Sequence, residues 1–180
     1  MAAGSTYTPL ATTTLGSNTA SYTFSSIPST YTDLVIVMNY STANSGGSAA
    51  NVSGALRVNS DTASNYSQTL MYGFGATANS GRETSQTVYW IADYGYAAST
   101  SGVFGNTVLH FINYANTTTY KTLLERSSNI DNAQSGSMGT VASAGLWRST
   151  AAITSITLML NGTNVYRTGT TFTLYGIAAA

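Results

Sequence analysis

Five apolar residues in a row, Leu34-Val35-Ile36-Val37-Met38, stand inside the segment Tyr31–Tyr40, YTDLVIVMNY. The run is far short of the roughly 20 residues a helix needs to cross a bilayer. It is short and largely β-branched, with Pro28 ahead of it and the Ser/Gly-rich stretch Ser41–Ala50 behind it, which favours a strand over a helix. An apolar run without polar alternation predicts a strand covered on both faces. Leu34, Ile36 and Met38 would then point one way, and Val35 and Val37 the other. Any fold open to this chain has to place that strand centrally and pack shorter strands around it.

Those shorter strands are legible as alternating segments between turn signals. Tyr7–Leu15 is the first, and Pro9 assigns it to an edge, because proline has no N–H for a ladder. Ser21–Ser25, Ser53–Asn59, Tyr66–Phe74 and Ser85–Ile91 follow. Asn106–Tyr114 places Val108, His110, Ile112 and Tyr114 on one face and Leu109 and Phe111 on the other. A turn at Ala115-Asn116-Thr117 returns it as the hairpin partner Thr119–Arg126. Thr140–Arg148, Ile153–Leu160 and Thr170–Ile177 complete the set, with Asn161-Gly162 a strong turn signal. Thr77–Gly81 and Ser127–Gly139 read as loops. Segments of this kind, about ten in all, with no amphipathic helix and no fixed repeat, predict an all-β protein. The expected fold is a jelly-roll-like antiparallel β-sandwich in a single domain, residues 1–180.

Charge narrows the function. Charged residues make up 7% of the chain and its net charge is +0, against about 25% charged in ordinary soluble domains. Six basic residues scattered singly form no phosphate-neutralising groove, so nucleic acid is not an expected partner. No apolar segment long enough for a membrane helix occurs, no secretory leader is recognisable at Met1, and no membrane partner is expected. The absence of cysteine excludes disulfides and thiolate metal sites. Hydrophobic content of 43% and 13 tyrosines exclude disorder. A hydroxyl-rich, nearly uncharged surface suits a protein that lives in an assembly.

No catalytic, cofactor or metal site is expected. His110 is the lone histidine and no G-x-S-x-G motif accompanies it, so it reads as a structural residue beside the core. The carboxylates Asp33, Asp61, Glu83, Asp93, Glu125 and Asp131 are dispersed, and Asp33 and Glu125 read as strand-end charges. Arg57–Asp61 suggests a hairpin in which Arg57 reaches back to Asp61. Asn59–Asn65 is rich in oxygen ligands but lacks the spacing and terminal Glu of a calcium loop, and reads as a turn. The aromatic stretch Asp93–Gly105 offers Tyr94, Tyr96 and Phe104 as candidate partner contacts, alongside Trp90, which reads as a roof on the open end of the sandwich.

Three stretches carry a family resemblance: YTPLATTTLGSNTASYTFSSIPSTYTDLVIVM from Tyr7, LRVNSDTASNYS from Leu56, and GLWRSTAAITSITLMLNGTNVYRTGTTFTLYGI from Gly145. Together they resemble small virion proteins of tailed phages, of the cyanobacterial and marine phage type. The resemblance implies a structural protein of the capsid exterior: a decoration or cement protein, a homotrimer bound to the major capsid protein. It implies no enzyme activity and no cofactor. The alternative it implies is a tail or tail-fibre receptor-binding head that takes host surface glycan, with Tyr94 and Tyr96 in the binding loop.

Overall fold

The computed structural model describes residues 6–43, 52–91, 102–129 and 139–178. Among these the chain forms fourteen strands: β1 (Tyr7–Thr14), β2 (Ser21–Phe24), β3 (Asp33–Tyr40), β4 (Thr42–Ala43), β5 (Gly54–Val58), β6 (Tyr66–Phe74), β7 (Thr77–Gln86), β8 (Tyr89–Ile91), β9 (Gly105–Ile112), β10 (Lys121–Asn129), β11 (Gly139–Trp147), β12 (Ile156–Leu160), β13 (Val165–Tyr166) and β14 (Thr171–Ile177). Eight build one sheet in the order β1-β14-β3-β9-β10-β11-β6-β7. Four build the facing sheet, β2-β12-β5-β8, and β13 with β4 forms a short ribbon. Every pairing is antiparallel. The chain is thus the all-β antiparallel sandwich that its alternating segments predict.

The core lies between the two sheets. β3 sends Leu34, Ile36 and Met38 inward, β9 sends Leu109 and Phe111, and β14 sends Phe172 and Leu174. Leu56 and Val58 of β5, with Ile156, Leu158 and Leu160 of β12, meet them from the smaller sheet. Each such side chain contributes about 1.5–3 kcal/mol of burial, so a strand placing three of them in the core is firmly seated. Aromatic rings fill one end: Tyr22 stacks on Phe172, and Tyr166 meets Phe172 and Tyr40 edge-on. Pro9 lies on the edge strand β1, beside a bulge at Leu10, which blunts that edge against further pairing.

Several local expectations are corrected. β3 is an interior strand, but it is not covered on both faces: Val37 is 39% exposed on the side away from the core. Tyr114 does not share the outer face of β9, because Asn113 takes a left-handed φ of 51° after the strand ends and swings Tyr114 into the core. Thr77–Gly81 is not a loop but the start of the edge strand β7, whose hydroxyl and amide side chains show no apolar alternation. The described residues form fourteen strands rather than about ten, because such polar and two-residue strands leave no hydropathy signal. Arg57–Asp61 is no hairpin: β5 and β6 belong to opposite sheets, and the turn at Asn59-Ser60 carries the chain across the sandwich. Arg57 donates to the carbonyl of Thr87, not to Asp61.

Candidate functional site

In a strand, alternate side chains face opposite ways, so the register of the eight-stranded sheet determines which residues meet on its outer face. One row crosses all eight strands: Pro9, Tyr175, Val35, His110, Leu124, Ala144, Thr69 and Arg82. The next reads Thr12, Thr173, Val37, Val108, Arg126, Ala142, Met71 and Ser80. The middle of both rows is apolar except for His110 in the first and Arg126 in the second. Val37, Met71 (68% exposed), Leu124 (50% exposed), Ile112 and Tyr7 stand open on this face. A third row, Thr171, Asn39, Asn106, Ser128, Thr140 and Gly73, bounds the apolar patch with polar groups, and Asn39 donates to Asn106 at 2.9 Å.

A hollow of about 660 Å³ lies on this face, lined by Tyr7, Val35, Thr69, Met71, Val108, His110, Leu124, Arg126, Ala142 and Ala144. It reaches from β1 to β6, about 29 Å of strand spacing if the sheet were flat. Spread over such a width, the volume describes a shallow elongated trough. A smaller hollow of about 340 Å³ shares Thr69 and Ala144 with it and continues past Arg82 and Thr84. An apolar concavity of this size with a few polar groups converging on it is the kind of surface that holds a ligand or a partner's side chains.

Thr69, Glu125 and Ser143 also line the trough, the last two with side chains engaged on the inner side of the sheet; the basic side chains along it are His110 and Arg126. His110 is on the solvent side of the sheet, not beside the core, and its Nε2 lies 3.0 Å from Oδ2 of Asp33. Oδ1 of Asp33 accepts the backbone N–H of Asn113 at 2.7 Å, so the carboxylate is fixed from both sides. Asp33 is therefore more than a strand-end charge: it orients the imidazole at the mouth of the trough. Among the described residues no serine hydrogen-bonds to the pair. Ser127 and Ser143 point the other way, into the sandwich.

That inward network was not foreseen. Glu125 lies mid-strand and 2% exposed, not at a strand end. Its Oε1 accepts from Ser127 at 2.6 Å and its Oε2 from Ser143 at 2.7 Å and Tyr89 at 2.8 Å. Ser127 continues the chain to Thr107 at 2.8 Å. A buried carboxylate with three hydroxyl partners is a structural tie between sheets. The alternation Leu123-x-Glu125-x-Ser127, inward from Leu123, was the available signal. Lys121 is likewise enclosed, its Nζ donating to the carbonyls of Thr119 at 2.7 Å and Thr150 at 3.1 Å, and burial pushes its pKa down.

Of the three aromatic candidates, Tyr94 and Tyr96 lie outside the described residues. Phe104 is half-buried, with its ring 3.5 Å from where a Cβ on Gly169 would stand, so it packs on the chain rather than presenting a free face. Trp90 donates through its indole to Gln86 at 3.4 Å. Asp61 is no calcium ligand in waiting: Ala63 N–H, Asn65 and Trp147 already occupy its two oxygens. Among the described residues no group of three His, Asp or Glu side chains is placed to hold a metal. Compared with known proteins, the chain matches no family model and no curated sequence.

Proposed function

We propose that the chain is a virion structural protein: a decoration protein that docks on the outer surface of a tailed phage's major capsid protein lattice, as a homotrimer, and stabilises the head. The observation that carries this reading is the outer face of the large sheet, where five large apolar side chains, Tyr7, Val37, Met71, Ile112 and Leu124, are exposed on one face and Tyr7, Met71 and Leu124 share one hollow. A contiguous apolar patch rimmed by polar groups marks an interaction surface. The polar rim and scarcity of charge keep the desolvation cost of docking low. The phage-like segments also converge in space. They supply β1, β14 and β3, which are neighbours in one sheet, β2, β12 and β5, which are neighbours in the other, β13, and the ends of β6 and β11.

Quantifying the chain in purified virions tests the reading. A copy number near that of the major capsid protein is expected, together with heads that release DNA at lower temperature when the chain is missing. A few copies confined to the tail would instead favour the receptor-binding alternative.

A further inference from the structure

Among the described residues, the centre of the trough holds a cation that nothing in the chain uses. Arg57, Lys121 and Arg148 each donate to carbonyl or hydroxyl oxygens of the chain. Arg82, on the edge strand β7, and Arg167, whose Nε is buried without a hydrogen-bond partner among the described residues, do not line the trough. Arg126 lines it and donates to none of the described residues. It is exposed in mid-β10, between Val108 and Ala142 on the neighbouring strands, and its guanidinium has no hydrogen-bond or ion-pair partner among the described residues. A guanidinium is weakly hydrated and presents a rigid fork of donors matched to a carboxylate. Three of the described carboxylates are committed within the chain: Asp33 to His110 and Asn113, Asp61 to Asn65 and Trp147, and Glu125 to the interior.

We propose that the trough seats a segment of the capsid partner that presents a carboxylate among apolar side chains. The carboxylate takes the fork of Arg126, and its apolar neighbours cover Val108, Leu124, Ala142 and Met71. That the partner is the capsid lattice rests on the function proposed above; the chemistry of the seat does not. A second copy docked face to face is the wrong occupant. It would set Arg126 against Arg126, like charge against like, at the centre of the contact.

Two measurements test this. In the first, the amide NMR spectrum of the whole chain is titrated with 4-phenylbutanoate and with the neutral 4-phenylbutanamide. The carboxylate is expected to shift the amides of Val108, Leu124, Arg126 and Ala142 saturably, and to bind about fivefold more tightly than the amide. Arg126→Gln is expected to erase that preference while leaving the weaker apolar binding. Equal binding of the two probes, shifts confined elsewhere, or no saturable shift overturns the seat. In the second, purified heads lacking the chain are reloaded with wild type or Arg126→Glu. A loss of about tenfold or more in attachment is expected, with the circular dichroism of the free protein unchanged. Unchanged attachment overturns the assignment of the seat to the lattice but leaves the decoration role standing. If wild type itself fails to attach, the decoration role and the lattice partner both fail, and the titration judges the seat alone. A change in the mass of the free oligomer caused by Arg126→Glu would show that a second copy occupies the trough, and overturns the choice of a different chain.

Discussion

Trp147 donates its indole N–H to Oδ2 of Asp61 at 2.7 Å, across 86 positions of sequence. The same carboxylate accepts from Asn65 at 2.8 Å and from the backbone of Ala63 at 2.8 Å. This fastens the crossing from β5 to β6 onto the end of β11. Burial alone would raise the pKa of Asp61, but the bonds from Asn65, Trp147 and Ala63 outweigh it and hold the carboxyl below its usual range. A depressed folded-state pKa contributes stability that is present above the unfolded value, about 4, and lost as pH falls through the folded value. Urea midpoints measured between pH 6 and pH 2 should therefore fall with acid, and part of that slope should vanish in Asp61→Asn. At neutral pH, Asp61→Ala is expected to cost about 1–2 kcal/mol, the lower end for a charged hydrogen-bonded group because the site is half open to water.

Gly145 lies on the core face of β11, under the ring of Tyr89 from the opposite sheet. A Cβ there would come 2.7 Å from one ring carbon and 3.1 Å from Leu123. The ring cannot retreat, because its hydroxyl is held by Glu125 at 2.8 Å and by Ser143. Gly145→Ala should cost about 1–3 kcal/mol through overpacking, read as a lower urea midpoint at unchanged slope. Gly16→Ala, where an added Cβ meets no atom within 4 Å, serves as the control and should leave the midpoint nearly unmoved.

What could be read from the sequence was set by parity. The inward set of β3, β5, β12 and β14 follows from alternation, and so does the shared face of Val108 and His110. Which side of β9 faces water does not, because that depends on the strands lying on either side of it. The Asp33–His110 pair joins residues 77 apart, and the trough needs strands from β1 to β6 in register. No local pattern encodes such adjacency. Polar β7 was missed for the opposite reason: an edge strand exposed along its length has no buried set to alternate.

Four tyrosines should resist alkali: burial raises Tyr114 as well as the three that follow. Burial pushes Tyr40 and Tyr66 up to about 12, and Tyr166 well above its usual 10. For a raised acid the stabilisation is intact below the unfolded pKa, about 10, and is lost as pH rises through the folded value. Absorbance at 295 nm should show exposed tyrosines ionising first. Tyr40, Tyr66, Tyr114 and Tyr166 should then ionise together with unfolding, in one step above pH 11 or so. Tyr66→Phe should remove part of that step. It should also cost about 1 kcal/mol at neutral pH, since the hydroxyl bonds the backbone of Val58 at 3.0 Å and of Asp61 at 3.2 Å.

Adjacent residues of β10 separate stability from docking. Leu123 is 3% exposed and packs in the core, whereas Leu124 points into the trough. Leu123→Ala should cost about 2–5 kcal/mol by leaving a cavity. Leu124→Ser gives up no core contact and should stay within about 0.5 kcal/mol of wild type in urea. If the outer face is the docking surface, the order reverses for attachment to heads. Leu124→Ser should weaken it by about tenfold, the effect of removing a central apolar anchor, while Leu123→Ala, measured where it is still folded, should attach normally. A Leu124→Ser protein that attaches as well as wild type would move the docking surface to another part of the molecule, because Leu124 is half exposed at the middle of the trough, where an apolar anchor carries most weight.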